Sequence, residues 1–160
     1  MKYKKVLFFP MVFGIMVLLS GCFNKTKPVE IKVFFANQIW NYFNPMNAKF
    51  EISDTKKTYE IAVSLSVIDG FELEEVPFEM MITSPDGQEN IVNSTMIVKK
   101  DGKYLGKVYG DVWTTELVIY REKQFSQTGT YAIYISNLTQ YYNLYKVESL
   151  AFTVRPAKKK

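Results

Sequence analysis

Period-two alternation of apolar and polar residues recurs along this chain, and no long stretch repeats at the 3.6-residue spacing of a helix. The clearest run covers residues 58–67. Tyr59, Ile61, Val63, Leu65 and Val67 fall on one face, and Glu60, Ala62, Ser64 and Ser66 on the other. A strand of this kind belongs in an antiparallel sheet that covers a core with one face. Phe78, Met80 and Ile82 alternate with Glu79, Met81 and Thr83. Tyr131, Ile133 and Ile135 alternate with Ala132, Tyr134 and Ser136. Leu150, Phe152 and Val154 alternate with Ser149, Ala151 and Thr153. Residues 48–53, 91–99, 103–109 and 116–121 complete a set of about eight expected strands.

Turn chemistry separates these runs. Asp101-Gly102 lies between Ile97-Val98 and Tyr104-Leu105, where a two-residue hairpin turn needs a residue that accepts positive φ. Pro85-Asp86-Gly87 follows the Phe78 run, and Thr128-Gly129 precedes the Tyr131 run. The predicted fold class is all-β: an antiparallel β-sandwich, immunoglobulin-like or jelly-roll-like. An aromatic fraction of 16% suits the space between two sheets. Residues 137–145 lack alternation and are expected to cross from one sheet to the other.

The N-terminal pattern differs. Lys2, Lys4 and Lys5 precede residues 6–19, which are almost wholly apolar and uncharged. That run is shorter than the roughly 20 residues of a membrane-spanning helix. Pro10 and Gly14 weaken it as a permanent helix. Leu19-Ser20-Gly21-Cys22 follows, and Cys22 is the only cysteine. The expectation is a lipoprotein signal peptide over residues 1–21. Leu19, Ser20 and Gly21 form the signal-peptidase recognition site and Cys22 is the lipidation site. Acyl chains such as palmitate contribute about 0.8 kcal/mol per buried methylene, so two or three hold a protein almost irreversibly. A lone acylated cysteine leaves no disulfide. Residues 22–30 read as a lipidated tether, 31–155 as one β-sandwich domain and 156–160 as a basic tail.

Processing changes the charge argument. The chain carries 20 basic and 16 acidic side chains, a net +4. Removing residues 1–21 takes away three lysines and no acid, which lowers +4 to +1. Setting aside Lys158, Lys159 and Lys160 lowers the body to −2. Such a body is no nucleic-acid-binding surface.

Much catalytic chemistry is excluded. With no histidine, a Ser-His-Asp triad, a Cys-His pair and a histidine-bearing zinc site are ruled out. No phosphate-binding glycine loop occurs, and no cofactor, metal or catalytic residue is expected. Asp69, Glu72, Glu74, Glu75 and Glu79 cluster, but match neither a glycosidase pair nor a calcium loop, and read as a solvated acidic loop. Asn93-Ser94-Thr95 and Asn137-Leu138-Thr139 match the glycosylation sequon by chance.

Aromatic residues supply the remaining candidates. Trp40, Tyr42 and Phe43 lie just before Asn44-Pro45, and Tyr141, Tyr142 and Tyr145 sit in the irregular late segment. Such rings either plug the ends of a sandwich or stand free to stack on sugars and anchor protein partners. The candidate partner- or glycan-contact residues are Trp40, Tyr42, Tyr141, Tyr142 and Tyr145.

An ordered set of short motifs completes the reading. Cys22 is followed by Trp40, then Phe50-Glu51-Ile52-Ser53-Asp54, then Tyr59-Glu60-Ile61. Gly102-Lys103-Tyr104-Leu105-Gly106 and Gly110-Asp111 come next, then Phe125 with Gly129 and Tyr131, and a closing strand over residues 147–154. This order resembles the gliding-motility lipoproteins of the GldH type, found in Bacteroidetes. Ser66-Val67 departs from that pattern where the family carries an arginine, and residues 137–142 replace a Gln-Met-Arg element. The resemblance implies a non-catalytic lipoprotein working with the gliding and type 9 secretion apparatus. Its partners would be the membrane, through the anchor, and other cell-envelope proteins. Phe23-Asn24-Lys25 lacks the acidic run that accompanies surface display, so the expected location is the outer membrane, facing the periplasm. The alternative reading is a surface glycan-binding β-sandwich lipoprotein.

Overall fold

A computed structural model describes residues 27–158. The signal segment, its recognition residues Leu19, Ser20 and Gly21, and Cys22 lie outside the described residues. So do Lys159 and Lys160.

Thirteen strands, several of them very short, form the described body. They are β1 (Val29–Phe34), β2 (Ile39–Asn41), β3 (Met46–Ile52), β4 (Thr58–Ile68), β5 (Glu75–Thr83), β6 (Glu89–Ile97) and β7 (Lys99–Lys100). Then follow β8 (Lys103–Tyr104), β9 (Lys107–Tyr109), β10 (Val112–Gln124), β11 (Gly129–Asn137), β12 (Asn143–Tyr145) and β13 (Val147–Pro156). A single 3-10 turn, Ala36–Gln38, joins β1 to β2. Among the described residues no helix is long and apolar enough to cross a membrane.

Two antiparallel sheets make the sandwich. One has the order β1-β13-β4-β10-β9 and the other β3-β11-β5-β6. Two-stranded ribbons, β12-β2 and β7-β8, extend from them. Most of the expected strands occur, and in β4, β5 and β11 the positions that alternation marks as inward are buried. Tyr59, Ile61, Val63, Leu65 and Val67 of β4 are buried against Phe78, Met80 and Ile82 of β5 and Tyr131, Ile133 and Ile135 of β11. Phe50, Tyr59, Phe125, Tyr131 and Phe152 form one ring cluster in this core, with Phe125 and Tyr131 at 4.8 Å between centroids. The Tyr59 hydroxyl donates to the Asp54 carbonyl at 2.8 Å, and the Tyr131 hydroxyl to the Gln127 carbonyl at 2.9 Å. Each ring is thereby buried while its polar tip keeps a partner.

Some boundaries differ from the sequence reading. β1 begins at Val29, two residues inside the stretch read as tether, and pairs along its length with β13. β10 starts at Val112 rather than 116, because residues 112–115 are half-buried on both faces and show no alternation. The expected strand over residues 103–109 is broken between β8 and β9. Gly106 sits there at φ +86°, and a Cβ would lie well inside contact distance of the Thr114 carbonyl oxygen. The Asp101-Gly102 turn forms as expected: both residues have positive φ, and Lys100 pairs with Lys103. Residues 138–146 cross from β11 in one sheet to β13 in the other, carrying β12 on the way.

Candidate functional site

Connections at one pole of the sandwich build the site. β1 ends there, β13 begins there, and between them β2 and β12 pair as a short ribbon. Its register is Asn41 with Asn143, Trp40 with Leu144, and Ile39 with Tyr145. Trp40 and Leu144 turn inward and are buried. Trp40 stacks on Phe35 at 5.5 Å between centroids, and this pair pins the ribbon to the core.

Trp40 therefore offers no contact surface. At 1% exposure it is the largest fully buried side chain, and its Nε1 has no hydrogen-bond partner among the described residues. The strand period explains this. In a three-residue strand the central side chain points opposite to its neighbours, so Trp40 goes inward where Ile39 and Asn41 go outward.

The outward side chains and the adjoining turn form a different surface. Asn41 Nδ2 donates to Asn143 Oδ1 at 2.6 Å, and Asn41 Oδ1 accepts the Phe43 backbone N–H at 2.8 Å. The Tyr42 N–H donates to the Tyr142 carbonyl at 2.7 Å. These bonds fix the backbone that carries Tyr42, Phe43 and Tyr142. Tyr42 and Phe43 meet edge to face at 5.3 Å, and Phe43 and Tyr142 stack at 5.9 Å with 18° between planes. Phe43 is 76% exposed and Tyr142 69%. Tyr42, Tyr141 and Tyr145 are also exposed. The structure thus packs two of the five candidate rings, Tyr42 and Tyr142, against Phe43, and leaves Tyr141 and Tyr145 exposed without a ring contact to that cluster.

A cleft of about 400 Å³ opens beside this cluster. The 69–74 connection supplies Phe71, Glu72 and Leu73 to its wall, and the opposite side carries Tyr141, Tyr145 and Lys146. Lys146 adopts φ +64°, and its Nζ donates to the Asp69 carbonyl at 3.0 Å while its own carbonyl accepts the Ile68 N–H at 2.9 Å. The lysine thus straps the two sides of the cleft together. Phe43 shares the aromatic signal of Trp40 and Tyr42 before Asn44-Pro45 but is not among the five contact candidates, and Lys146 carries no sequence signal that marks it.

The acidic residues do not converge. Glu74 Oε1 accepts the Gly102 N–H at 2.8 Å, while Glu75 and Glu79 lie on β5 opposite Ile97 and Asn93. No group of three metal-ligating side chains occurs among the described residues. Asn137, in the second sequon, is fully buried.

Away from this pole, Arg155 bridges Glu60 and Glu116 on the outer face of the five-stranded sheet. Its Nε donates to Glu60 at 2.7 Å, and its terminal nitrogens donate to both Glu116 oxygens at 3.0 and 3.3 Å. The Glu116 and Glu60 carboxylates raise the guanidinium pKa further above its ordinary value. This cluster staples β13 to β4 and β10.

Comparison with known proteins adds identity at the family level. No curated protein matches the chain. A solved structure, the VP2 subviral particle of infectious bursal disease virus, aligns at a TM-score of 0.37 with 11% identity. That alignment covers 82% of this chain but only 34% of the viral one, so the chain spans about a third of that protein. The family described as GldH lipoprotein matches residues 30–154, nearly the whole described body. With a match of that extent, the chain belongs to the GldH lipoprotein family.

Proposed function

We propose that this chain is a non-catalytic lipoprotein, acylated at Cys22 and held at the periplasmic face of the outer membrane. There it docks other envelope proteins through its exposed ring cluster. The family supports membrane anchoring and an association with gliding motility. The observation that carries the docking reading is the mutual packing of Tyr42, Phe43 and Tyr142 in solvent on a hydrogen-bonded ribbon. Rigid, exposed aromatic side chains lose little conformational freedom on binding and supply large contact area, which is what interface anchors require. Tethering in the membrane plane raises the effective concentration toward other membrane-bound components, so modest affinity suffices. Proteins of the gliding and type 9 secretion apparatus are the partner class the family points to.

Cross-linking in intact cells tests this. The double variant Phe43→Ser/Tyr142→Ser should lose its cross-linked protein partners while its abundance and membrane fractionation stay unchanged. Retention of the same adducts would reject the docking surface. Cys22→Ala should leave unprocessed precursor; maturation and fractionation like the wild type would reject the anchor.

A second reading has one observation in its favour. Tyr141 and Tyr145 line the cleft together with Glu72, Asn143 and Lys146, a combination of rings and polar groups suited to a sugar. Saturable binding of an oligosaccharide, abolished by Tyr145→Ala, would favour this glycan-binding role over protein docking.

A further inference from the structure

Four strands bound the two sheets: β1 and β9 in one, β3 and β6 in the other. An outer strand offers unpaired backbone groups to other chains, and charges, bulges or short length guard against that. β1 carries Glu30 and Lys32, and β3 carries Lys49 and Glu51. β9 has three residues; β10, uncovered beyond it, is bulged after Val118 and carries Arg121, Glu122 and Lys123. β6 has none of these guards. Its nine residues pair with β5 without a bulge, and residues 90–98 carry no charge and no proline. Ile91 is 54% exposed and Ile97 39%.

Neighbouring bonds fix which way the β6 backbone points. The Ser84 N–H donates to the Gln88 carbonyl at 2.9 Å, and the Val98 N–H to the Glu74 carbonyl at 2.7 Å. Antiparallel pairs alternate between bonded and non-bonded, so even-numbered residues of β6 bond to β5 and odd-numbered ones turn outward. Pro77 agrees. Its carbonyl accepts the Leu138 N–H at 2.9 Å on the β11 side, so its partner Thr95 faces away from β5. Ile91, Asn93, Thr95 and Ile97 therefore present their N–H and C=O groups with no strand beside them among the described residues.

The open stretch, residues 91–97, is closed at both ends. At one end the Tyr120 hydroxyl of β10 donates to Asn90 Oδ1 at 2.8 Å. At the other the Val98 carbonyl accepts the Leu105 N–H at 2.8 Å, and the β7–β8 hairpin takes over the edge. These stops select the occupant. Setting Ile91 against Ile97 of a second copy puts Val98, with its hairpin, opposite Asn90, where the two chains collide. Residues 1–28 join the body at β1, the edge of the other sheet remote from β10 and β6. What fits is a single extended segment with no sheet of its own at either end.

We propose that β6 takes a short extended segment of another protein as an added strand, separate from the ring cluster and independent of acylation. Main-chain bonds to residues 91–97 hold it. Its side chains are uncharged and alternate apolar with hydroxyl, because no charge on residues 90–98 would pair with one opposite. Valine or isoleucine across from Ile91 and Ile97 covers their exposed surface.

The test uses the full chain and a dye-labelled, end-capped heptapeptide of alternating valine and threonine, followed by fluorescence anisotropy. Binding should be saturable. Methylating the peptide nitrogens of one alternate set, valines or threonines, should abolish it, and methylating the other set should not. Thr95→Pro removes an outward N–H and fills the edge without breaking a β5 bond, so the unfolding midpoint should hold while affinity falls roughly tenfold or more. Asn93→Lys, which puts a charge on the edge at an exposed position, should weaken binding without the constraint of proline. No saturable binding, equal effects of the two methylated peptides, or wild-type affinity in both variants would overturn the proposal. A dimer of the chain that Asn93→Lys dissociates would overturn the choice of occupant.

Discussion

Asn41 and Asn143 face each other across the β2–β12 ribbon with 2.6 Å between amide nitrogen and amide oxygen, and the same Asn41 amide holds the Phe43 N–H. One side chain thus links the ribbon's two strands and the exposed turn that follows. Replacing Asn41 by Ala removes both bonds from a part-buried position, at a cost of about 1 kcal/mol in global stability. The local effect is larger in kind. The Tyr42 amide, bonded to the Tyr142 carbonyl, should exchange its hydrogen markedly faster in Asn41→Ala, while amides of β4 keep their protection.

Trp40 and its substitutions separate packing from polarity. Trp40→Ala should cost about 3–5 kcal/mol, because a buried aromatic leaves a cavity under the ribbon. Trp40→Phe removes no hydrogen bond, since Nε1 has no partner among the described residues, and retains a ring to stack on Phe35. Its cost should be at most about half as large. Urea midpoints of the three proteins check the order.

Gly106 is the tightest glycine in the fold. Its φ of +86° and the approach of the Thr114 carbonyl leave no room for a methyl group. Gly106→Ala should lose at least about 1 kcal/mol through backbone strain alone. It should also detach β9 from β10, read as loss of exchange protection at Thr114 and Val108.

Acid should loosen the turn between β3 and β4. Asp54 Oδ1 accepts the Lys56 N–H at 2.9 Å, and this bond, with help from Lys57, holds the carboxyl below its ordinary value of 3.8. The folded chain thus holds this proton less tightly than the unfolded chain. The turn's contribution to stability is fully present above the unfolded value and disappears as pH falls through the lower folded one. An NMR titration of Asp54 should give a midpoint below 3.8, and Asp54→Asn should flatten the stability curve on that acid limb.

Most core strands were legible in the sequence because their apolar positions follow a period of two. β10 shows no such period, and the central strands β4 and β13 also bury small outer-face residues such as Ala62, Ser66, Ala151 and Thr153. β4, β5 and β11 each bury the side chains that alternation selects. The family motifs are legible for a related reason: most of them build the fold. Tyr59, Phe125 and Tyr131 pack on one another, Trp40 plugs the pole, and Gly106 permits a close backbone approach. The site was less legible because it is made of short elements. A three-residue ribbon is too brief to display a period, so nothing in the sequence told Trp40 apart from Tyr42 or singled out Phe43. The partnership of Asn41 with Asn143 spans 102 positions and depends on a sheet crossover that alternation does not encode.

The central claim is that the ring cluster docks a protein. A photo-reactive amino acid placed at Phe43 in living cells measures this most directly, with Ser126 at the opposite pole as the control position. The account predicts discrete, reproducible protein adducts from position 43 that Tyr142→Ser diminishes several-fold, and few from position 126. Adducts confined to position 126, or none from position 43 at normal abundance, would contradict it.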